Sequence, residues 1–299
     1  MSKKVLVIYY TQSGQLENIL QEFCKPLSDA GHQLEWLRVY PQTPYPFPWK
    51  GNSFFTVMPN CVHGVPTPLQ PFELKSASYD LVVFGYQAWF LSPSIPSNSI
   101  LQDPEIKKIL KNTPVITLTG ARNMWISAME RIKTSLKNQD AKLVGNIALV
   151  DRHANLISFI TIFYWMLTAK KDKFLNIFPP PGVSQQDVLN AARFGTIVGP
   201  YLKMGNFEGM QDELLKSGAV EIKYNLMFIE SKARRIFAVW AAFISKRKNK
   251  NFWLQVYKYY LLIALFIAAP IILSVDAVLF KPFLTKRIAE QKRYYSGVN

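Results

Sequence analysis

Cysteine, histidine and acidic residues are all scarce in this chain. Two cysteines, Cys24 and Cys61, in 299 residues build neither a disulfide framework nor a thiolate metal site. Their number fits a reducing compartment. The three histidines, His32, His63 and His153, are too scattered to suggest a metal cluster, so no metal is expected. Asp and Glu total 20 against 35 Lys and Arg, a net charge of +15. Such a surplus draws nucleic acid or anionic lipid. No nucleic-acid motif is recognisable, and much of the charge flanks the most apolar segment near the C-terminus, which favours an anionic membrane surface and no nucleic acid. The apolar run after Lys3-Lys4 is too short for the core of a signal peptide. A hydrophobic content of 49% and an aromatic content of 14% exclude a disordered chain.

The first two-thirds alternate strand and helix patterns, which predicts a mostly parallel sheet covered on both faces. Strands are expected at Val5–Tyr10, Leu34–Tyr40, Asp80–Tyr86, Pro114–Thr119 and Leu143–Val150. Helices are expected at about Gln15–Ala30, from Asp103 to near Asn112, up to about Lys137, and over Ser184–Lys203. Asp103-Pro104-Glu105 carries an Asp cap with proline at the first helical position, and Ser184-Gln185-Gln186-Asp187 reads as a capping box. Residues 41–78, rich in proline and aromatics, read as a long excursion with Trp49, Phe54, Phe55 and Phe72 to bury. An α/β domain over 1–205 is therefore expected, with an apolar insertion at 152–182. Leu156–Leu167 is too short to span a bilayer and reads equally as a buried or a membrane-dipping helix.

The stretch Val5–Leu20 carries the chemistry. A buried strand turns through Thr11-Gln12-Ser13-Gly14-Gln15 into a helix. The free N–H groups of a helix start and its dipole make an anion site, to which the Thr11 and Ser13 hydroxyls can add. The loop has no Lys or Arg, so it is not the loop that grips a nucleotide triphosphate with Mg²⁺. It suits one terminal phosphate; an ordinary βα turn is the plainer alternative. This segment resembles the FMN-phosphate loop of flavodoxin-like proteins, with Leu16 where a hydroxyl residue is usual.

That resemblance implies a doubly wound five-stranded sheet of order 2-1-3-4-5 and FMN as cofactor. It implies phosphate contacts from Thr11, Gln12, Ser13, Gly14, Gln15 and Leu16. The flavin ring would be held by Gln87, Ala88, Trp89 and Phe90 after strand three, and by Thr119, Gly120, Ala121, Arg122, Asn123 and Trp125 after strand four. Tyr86, Trp89, Phe90 and Trp125 are available to stack on a planar cofactor, although each alone reads as core packing.

Residues 206–299 read as a helical, basic, membrane-associating region. Tyr259–Val275 holds seventeen uncharged residues, at the lower edge for a spanning helix. Pro270 and Asp276 are unusual for a simple anchor. Lys and Arg flank the apolar segment 259–280 on both sides, which favours keeping both ends at the cytoplasmic face. A hairpin bent at Pro270 or a helix lying flat does that. A single span and a buried core helix are the alternatives.

Across the whole chain, Lys4-Val5-Leu6-Val7-Ile8-Tyr9-Tyr10-Thr11-Gln12-Ser13-Gly14-Gln15-Leu16 with the apolar basic tail resembles the dialkylresorcinol-forming ("condensing enzyme") proteins of flexirubin-type pigment pathways. The resemblance implies a flavoprotein that oxidises a dialkyl-cyclohexanedione, built by a ketosynthase partner, to the aromatic resorcinol. No ketosynthase-like nucleophile is visible, since neither cysteine sits at an elbow paired with a His. Dehydrogenation needs a base near the ring; His63, His153 and Tyr86 are candidates by type and loop position. Arg122 could steady a developing enolate oxygen. A membrane NAD(P)H:quinone reductase and a non-catalytic basic membrane-binding protein are the other classes that fit. Flavodoxin-like enzymes often dimerise, so a homodimer is also implied.

Overall fold

The computed structural model describes residues 2–298. Beyond Lys4, every residue of β1 (Lys4–Tyr9) is buried. Such a strand needs neighbours on both edges and helices on both faces. It pairs in parallel with β2 (Gln33–Arg38) on one side and β3 (Leu81–Tyr86) on the other, so that Val7 lies opposite both Trp36 and Val83. After β3 the chain turns through a small antiparallel hairpin, β4 (Ala88–Trp89) with β5 (Ser92–Pro93). It then forms β6 (Pro114–Ala121) and β7 (Lys142–Val150). The five-stranded sheet runs β2-β1-β3-β6-β7. With the hairpin set aside this is the order 2-1-3-4-5, the flavodoxin-like arrangement. Its crevice opens at the carboxyl ends of β1 and β3, where the winding reverses.

The connecting helices are α1 (Gln15–Asp29), α2 (Ser53–Thr56), α3 (Met58–His63), α4 (Ile95–Gln102), α5 (Pro104–Leu110) and α6 (Ile126–Lys137). Then follow α7 (Asn155–Thr168), α8 (Gln185–Leu189), α9 (Ala192–Met204), α10 (Met210–Lys216) and α11 (Tyr224–Ser245). Side-chain alternation along the strands divides the interior in two. Val5, Val7, Val83 and Ile147 meet Phe23 of α1, Phe194 of α9 and Met210 of α10. Leu6, Ile8, Phe84 and Tyr86 meet Met58 of α3, Ile132 of α6 and Phe237 of α11.

Several boundaries differ from the sequence reading. The excursion after β2 contains α2 and α3, and closes on itself through an antiparallel bridge between Pro41 and Leu69. Helix α4 was not anticipated; Ser94 caps it by accepting from the Ser97 N–H, with proline in its first turn. β6 extends to Ala121 because Gly120 and Ala121 pair with Leu149 and Val150 of β7, so these two residues end a strand rather than begin a loop. The α/β body also runs past residue 205. Met210 and Leu214 are buried in the same core as Ile147, and the Ala148 N–H donates to the Ala219 carbonyl.

The C-terminal region also departs from the reading. No hairpin forms at Pro270: one helix runs from Lys250 to Ser296. Proline lacks an N–H and its ring crowds the preceding turn. Here a π-turn at Ala264–Ala268 precedes Pro270, and a second at Asp276–Phe280 precedes Pro282. Each wide turn accommodates a missing hydrogen bond, and the chain stays helical past both prolines. Only 17% of the helix's most apolar window is buried, which rules out a core helix. Ile263, Ile267, Ile271 and Val278 all lie exposed along it. Helix α7 buries Ser158, Thr161 and Trp165, while Ile157 and Leu167 stay exposed. It is thus a covering helix, half in the body and half out.

Helices α1 and α9 cross at Gly195. A Cβ there would lie 1.9 Å from the carbonyl oxygen of Phe23, a backbone atom that cannot step aside. Gly195→Ala is expected to force the two helices apart and to cost on the order of 3 kcal/mol in urea unfolding. Gly199→Ala, whose Cβ would meet only the Leu27 side chain at 3.9 Å, is expected to leave the unfolding midpoint nearly unchanged.

Candidate functional site

The loop between β1 and α1 is shaped from within. Thr11 Oγ1 accepts from the Gly14 N–H at 3.1 Å, and Gly14 takes the left-handed conformation, φ 82°, that a side chain disfavours. No side chain caps α1, and its first internal bond is Asn18 N–H to the Gly14 carbonyl. The N–H groups of Gln15, Leu16 and Glu17 therefore have no helical acceptor. Gln12 is immobilised: its N–H donates to Gln87 Oε1 at 3.2 Å, its Nε2 donates to the Tyr45 and Pro46 carbonyls, and its Oε1 accepts from the Tyr10 hydroxyl. Gln15 is committed too. Its amide exchanges two hydrogen bonds with the backbone of Val183, at 2.9 and 3.1 Å. Leu16 is buried in the sheet core. Among the described residues, the Ser13 hydroxyl is left without a protein partner.

A cavity of about 300 Å³ starts at this loop. Gln12, Ser13, Gln15 and Leu16 form one end. Gln87–Leu91 and Gly120–Arg122 form two further walls. The hairpin tip is strained, with Phe90 and Leu91 at φ 48° and 58°. That geometry turns Phe90 to stack on Phe54 at 4.5 Å. Phe47, Trp49 and Phe55 of the excursion, Phe159, Phe163 and Trp165 of α7, and Phe237 of α11 complete an aromatic lining. The far end is made by the C-terminal helix through Tyr260, Leu261, Ala264, Leu265 and Ala269.

Arg122 is the cation at this cavity. Its Nη1 donates to the carbonyl and the Oδ1 of Asn155, at 3.2 and 2.9 Å, and its guanidinium lies 5.7 Å from the Phe159 ring centre. Among the described residues no carboxylate pairs with it directly. Burial lowers its pKa to about 10, with Asp151 and Glu230 pulling the other way, so it stays charged at neutral pH.

Not every residue singled out in the sequence reaches the cavity. Thr119 is buried and donates to the Tyr86 carbonyl at 2.8 Å. Asn123 donates to Asn155 at 3.1 Å, which aids the placement of Arg122. Trp125 and Tyr86 are core residues. Tyr86 points, with Phe84, to the face covered by α6 and α11, because alternation along β3 sends it there. His63 is exposed at the end of α3. His153 is exposed and bonded to Asp151 at 2.6 Å, while the other Asp151 oxygen accepts from Ser158. None of the three base candidates lines the cavity. Cys24 and Cys61 are buried and burial pushes both thiols up, which argues against either as a nucleophile. Among the described residues no group of His, Cys, Asp and Glu is placed to hold a metal.

Sequence reasoning missed α7, α11 and the C-terminal helix as cavity walls, because chain distance hides that convergence. It also missed Glu230. This carboxyl is 1% exposed; Oε1 accepts from the Ser127 N–H at 2.6 Å, and Oε2 has no partner. Burial raises its pKa from 4.5 to about 7, against the stabilising Ser127 bonds and the charge of Arg122. A lone acid in an otherwise apolar and basic helix was the available signal.

No known protein family matches this sequence, and no curated protein does. Part of the chain is similar to several solved structures. A flavoprotein in complex with FMN from Lactobacillus acidophilus NCFM is 16% identical at a TM-score of 0.40, covering 49% of this chain and 93% of its own. A flavodoxin from the domain Archaea is 8% identical at 0.37, covering 67% and 99%. Oxidised flavodoxin 1 from Bacillus cereus is 12% identical at 0.34, covering 64% and 95%.

The buried carboxyl sets a pH test. Folded Glu230 holds its proton up to about pH 7, whereas the unfolded chain loses it near 4.5. Between those values the folded state binds the extra proton, so this group's contribution to stability falls as pH rises. The total loss is on the order of 3 kcal/mol. Glu230→Gln is expected to remove that slope. Relative to the parent, the variant should gain more stability at pH 8 than at pH 5 in urea unfolding.

Proposed function

We propose that this chain is an FMN-dependent oxidoreductase that works at the cytoplasmic face of a membrane on a lipid-like substrate. The observation that carries the reading is one continuous cavity with an uncapped helix N-terminus at one end and an exposed apolar helix at the other. The residues present suit FMN. Three unclaimed N–H groups and the Ser13 hydroxyl offer neutral donors to one phosphate, on a loop whose turn the left-handed Gly14 permits. The aromatic lining beyond them suits a planar ring. When bound, FMN supplies a two-electron acceptor.

The substrate side is oily. Trp49, Phe54, Phe163 and Leu265 exclude water and favour alkyl chains. Arg122, held by Asn155 and free of a direct carboxylate, can attract the enolate oxygen of an acidic cyclohexanedione that has already given its proton to water. These features support oxidative aromatisation of a dialkyl-cyclohexanedione to a dialkylresorcinol, with a ketosynthase-type partner supplying the dione.

The C-terminal helix supports attachment within the membrane plane. Lys246, Arg247, Lys248 and Lys250 precede its apolar segment, and Lys281, Lys286 and Arg287 follow it. Both ends are thus drawn to anionic headgroups. The buried Asp276 accepts from the Tyr224 hydroxyl at 2.9 Å. That bond holds the helix along the body, which supports the in-plane reading over a single span.

Protein purified in mild detergent should carry visible flavin absorbance and release FMN on heating. A colourless protein that also refuses added FMN would remove the cofactor from this reading. Gly14→Val should weaken FMN retention about tenfold or more, by straining the loop whose amides face the phosphate. Arg122→Ala should keep FMN but lower turnover of a dialkyl-cyclohexanedione by about a hundredfold. Rapid bleaching by NADH with reoxidation by a quinone, and no activity on the dione, would redirect the assignment to a quinone reductase.

A further inference from the structure

We infer that the cavity loads sideways from the bilayer, through a seam between α7 and the C-terminal helix, and that residues 259–275 are its gate. The substrate is then an amphipath whose polar ring passes the seam first and whose alkyl chain trails back into lipid. This inference rests on the membrane flavoprotein reading above and specifies the route to that same site.

The seam is visible in how the two helices meet. Phe159 of α7 and Ala264, Leu265 and Ala269 of the C-terminal helix line the cavity from opposite sides. The ring contact between the helices is Phe159 on Phe266, edge to face at 5.6 Å. Among the described residues no hydrogen bond or ion pair joins them. An apolar contact of this kind loses little when lipid chains replace it, because they are equally apolar.

The π-turn explains why one helix can both wall the cavity and face lipid. In an ordinary α-helix, residues five apart point about 140° away from each other. A π-turn brings residues five apart close to the same direction. Ala264 and Ala269 therefore both face the cavity, while Ile263, Ile267 and Ile271 stay exposed on the outside. Ala264 and Ala269 carry only methyl groups beside Leu265 on this wall, leaving width at those two positions for an alkyl chain.

Polar clamps bound the gate. Upstream, Lys258 Nζ donates to Asn52 Oδ1 at 3.2 Å. Downstream, Tyr224 holds Asp276, and Tyr294 donates to Glu130 at 2.9 Å. Between Lys258 and Asp276 the side chains make only apolar and ring contacts among the described residues. Two fixed ends with an apolar middle allow the middle to bend outward without breaking a side-chain polar bond. The cations at both ends seat the exposed face on anionic lipid, which places the seam at the level of the acyl chains.

The test uses the double variant Phe159→Cys with Phe266→Cys, as full-length protein loaded with FMN in phosphatidylcholine–phosphatidylglycerol vesicles. The native Cys24 and Cys61 are buried, so oxidation with a short bifunctional methanethiosulfonate, which bridges thiols too far apart for a direct disulfide, should join the new pair. Dodecylresorcinol in the vesicles is the probe, and its binding is read as a change in the flavin spectrum. The oxidised protein should keep FMN and take up the probe about tenfold or more slowly than the same variant in its reduced state, with the reduced variant's own rate restored by dithiothreitol. Short-chain resorcinol, added from water, should be affected equally if the seam is the only route. Ala264→Trp should slow the long-chain probe without oxidation. Equal uptake by oxidised and reduced protein, with FMN retained, overturns the lateral route alone. Failure of every form to hold FMN overturns the functional reading and the route together.

Discussion

The site depends on an absence at the start of α1. No side chain caps this helix, so the amides of its first turn remain available at the carboxyl edge of the sheet. The surrounding residues hold that end open instead of covering it. Thr11 closes the loop onto Gly14, Gln12 braces it against the excursion and Gln87, and Gln15 ties it to Val183. The polar side chains of this loop serve mainly as struts, while the backbone is left to bind. Gly182 belongs to the same brace: a Cβ there would lie 2.7 Å from Gln15 Oε1. The glutamine amide and the incoming segment could not then both keep their places.

Beyond that fixed end, the cavity is built from elements that the basic α/β plan does not need. The excursion after β2, the covering helix α7, α11 and the C-terminal helix all bring aromatic or aliphatic side chains to one space. Charge within it is sparse and deliberately held. Arg122 is positioned by neutral groups on Asn155; outside the lining, the buried Glu230 takes a backbone N–H from Ser127 while one of its oxygens stays unpaired. A low-dielectric surrounding strengthens the field of such a cation and makes an unpaired carboxyl expensive. That combination suits chemistry in which negative charge develops on an otherwise neutral, oily molecule.

The C-terminal helix joins the site to its surroundings. Its polar bonds lie at the ends of the apolar stretch and its outward face is apolar, so it is at once a wall of the cavity and an exposed apolar surface. Two π-turns let it carry Pro270 and Pro282 without a break. A hairpin would have placed the same residues in two shorter helices and lost the continuous wall.

Much of this was legible in the chain alone. Unbroken apolar runs such as Val5–Tyr9 and Leu81–Tyr86 announce strands buried on both faces, and their alternation with helices determines a parallel, doubly wound sheet. The loop chemistry of Thr11–Gln15 marks the anion end, because it depends on residues adjacent in sequence. The basic and apolar tail likewise declares its character by composition. What tertiary structure alone decided is which side chains meet. Alternation along β3 sends Tyr86 into the core, and a strand pairing two residues longer than expected carries Ala121 to the cavity's edge. His63 and His153 lie outward because nothing in their local sequence ties them to the crevice. The convergence of Trp49, Phe163, Phe237 and Ala264, drawn from four distant segments, is a product of packing. No local pattern encodes it, because hydrophobic burial has no direction of its own and is resolved only when the helices dock.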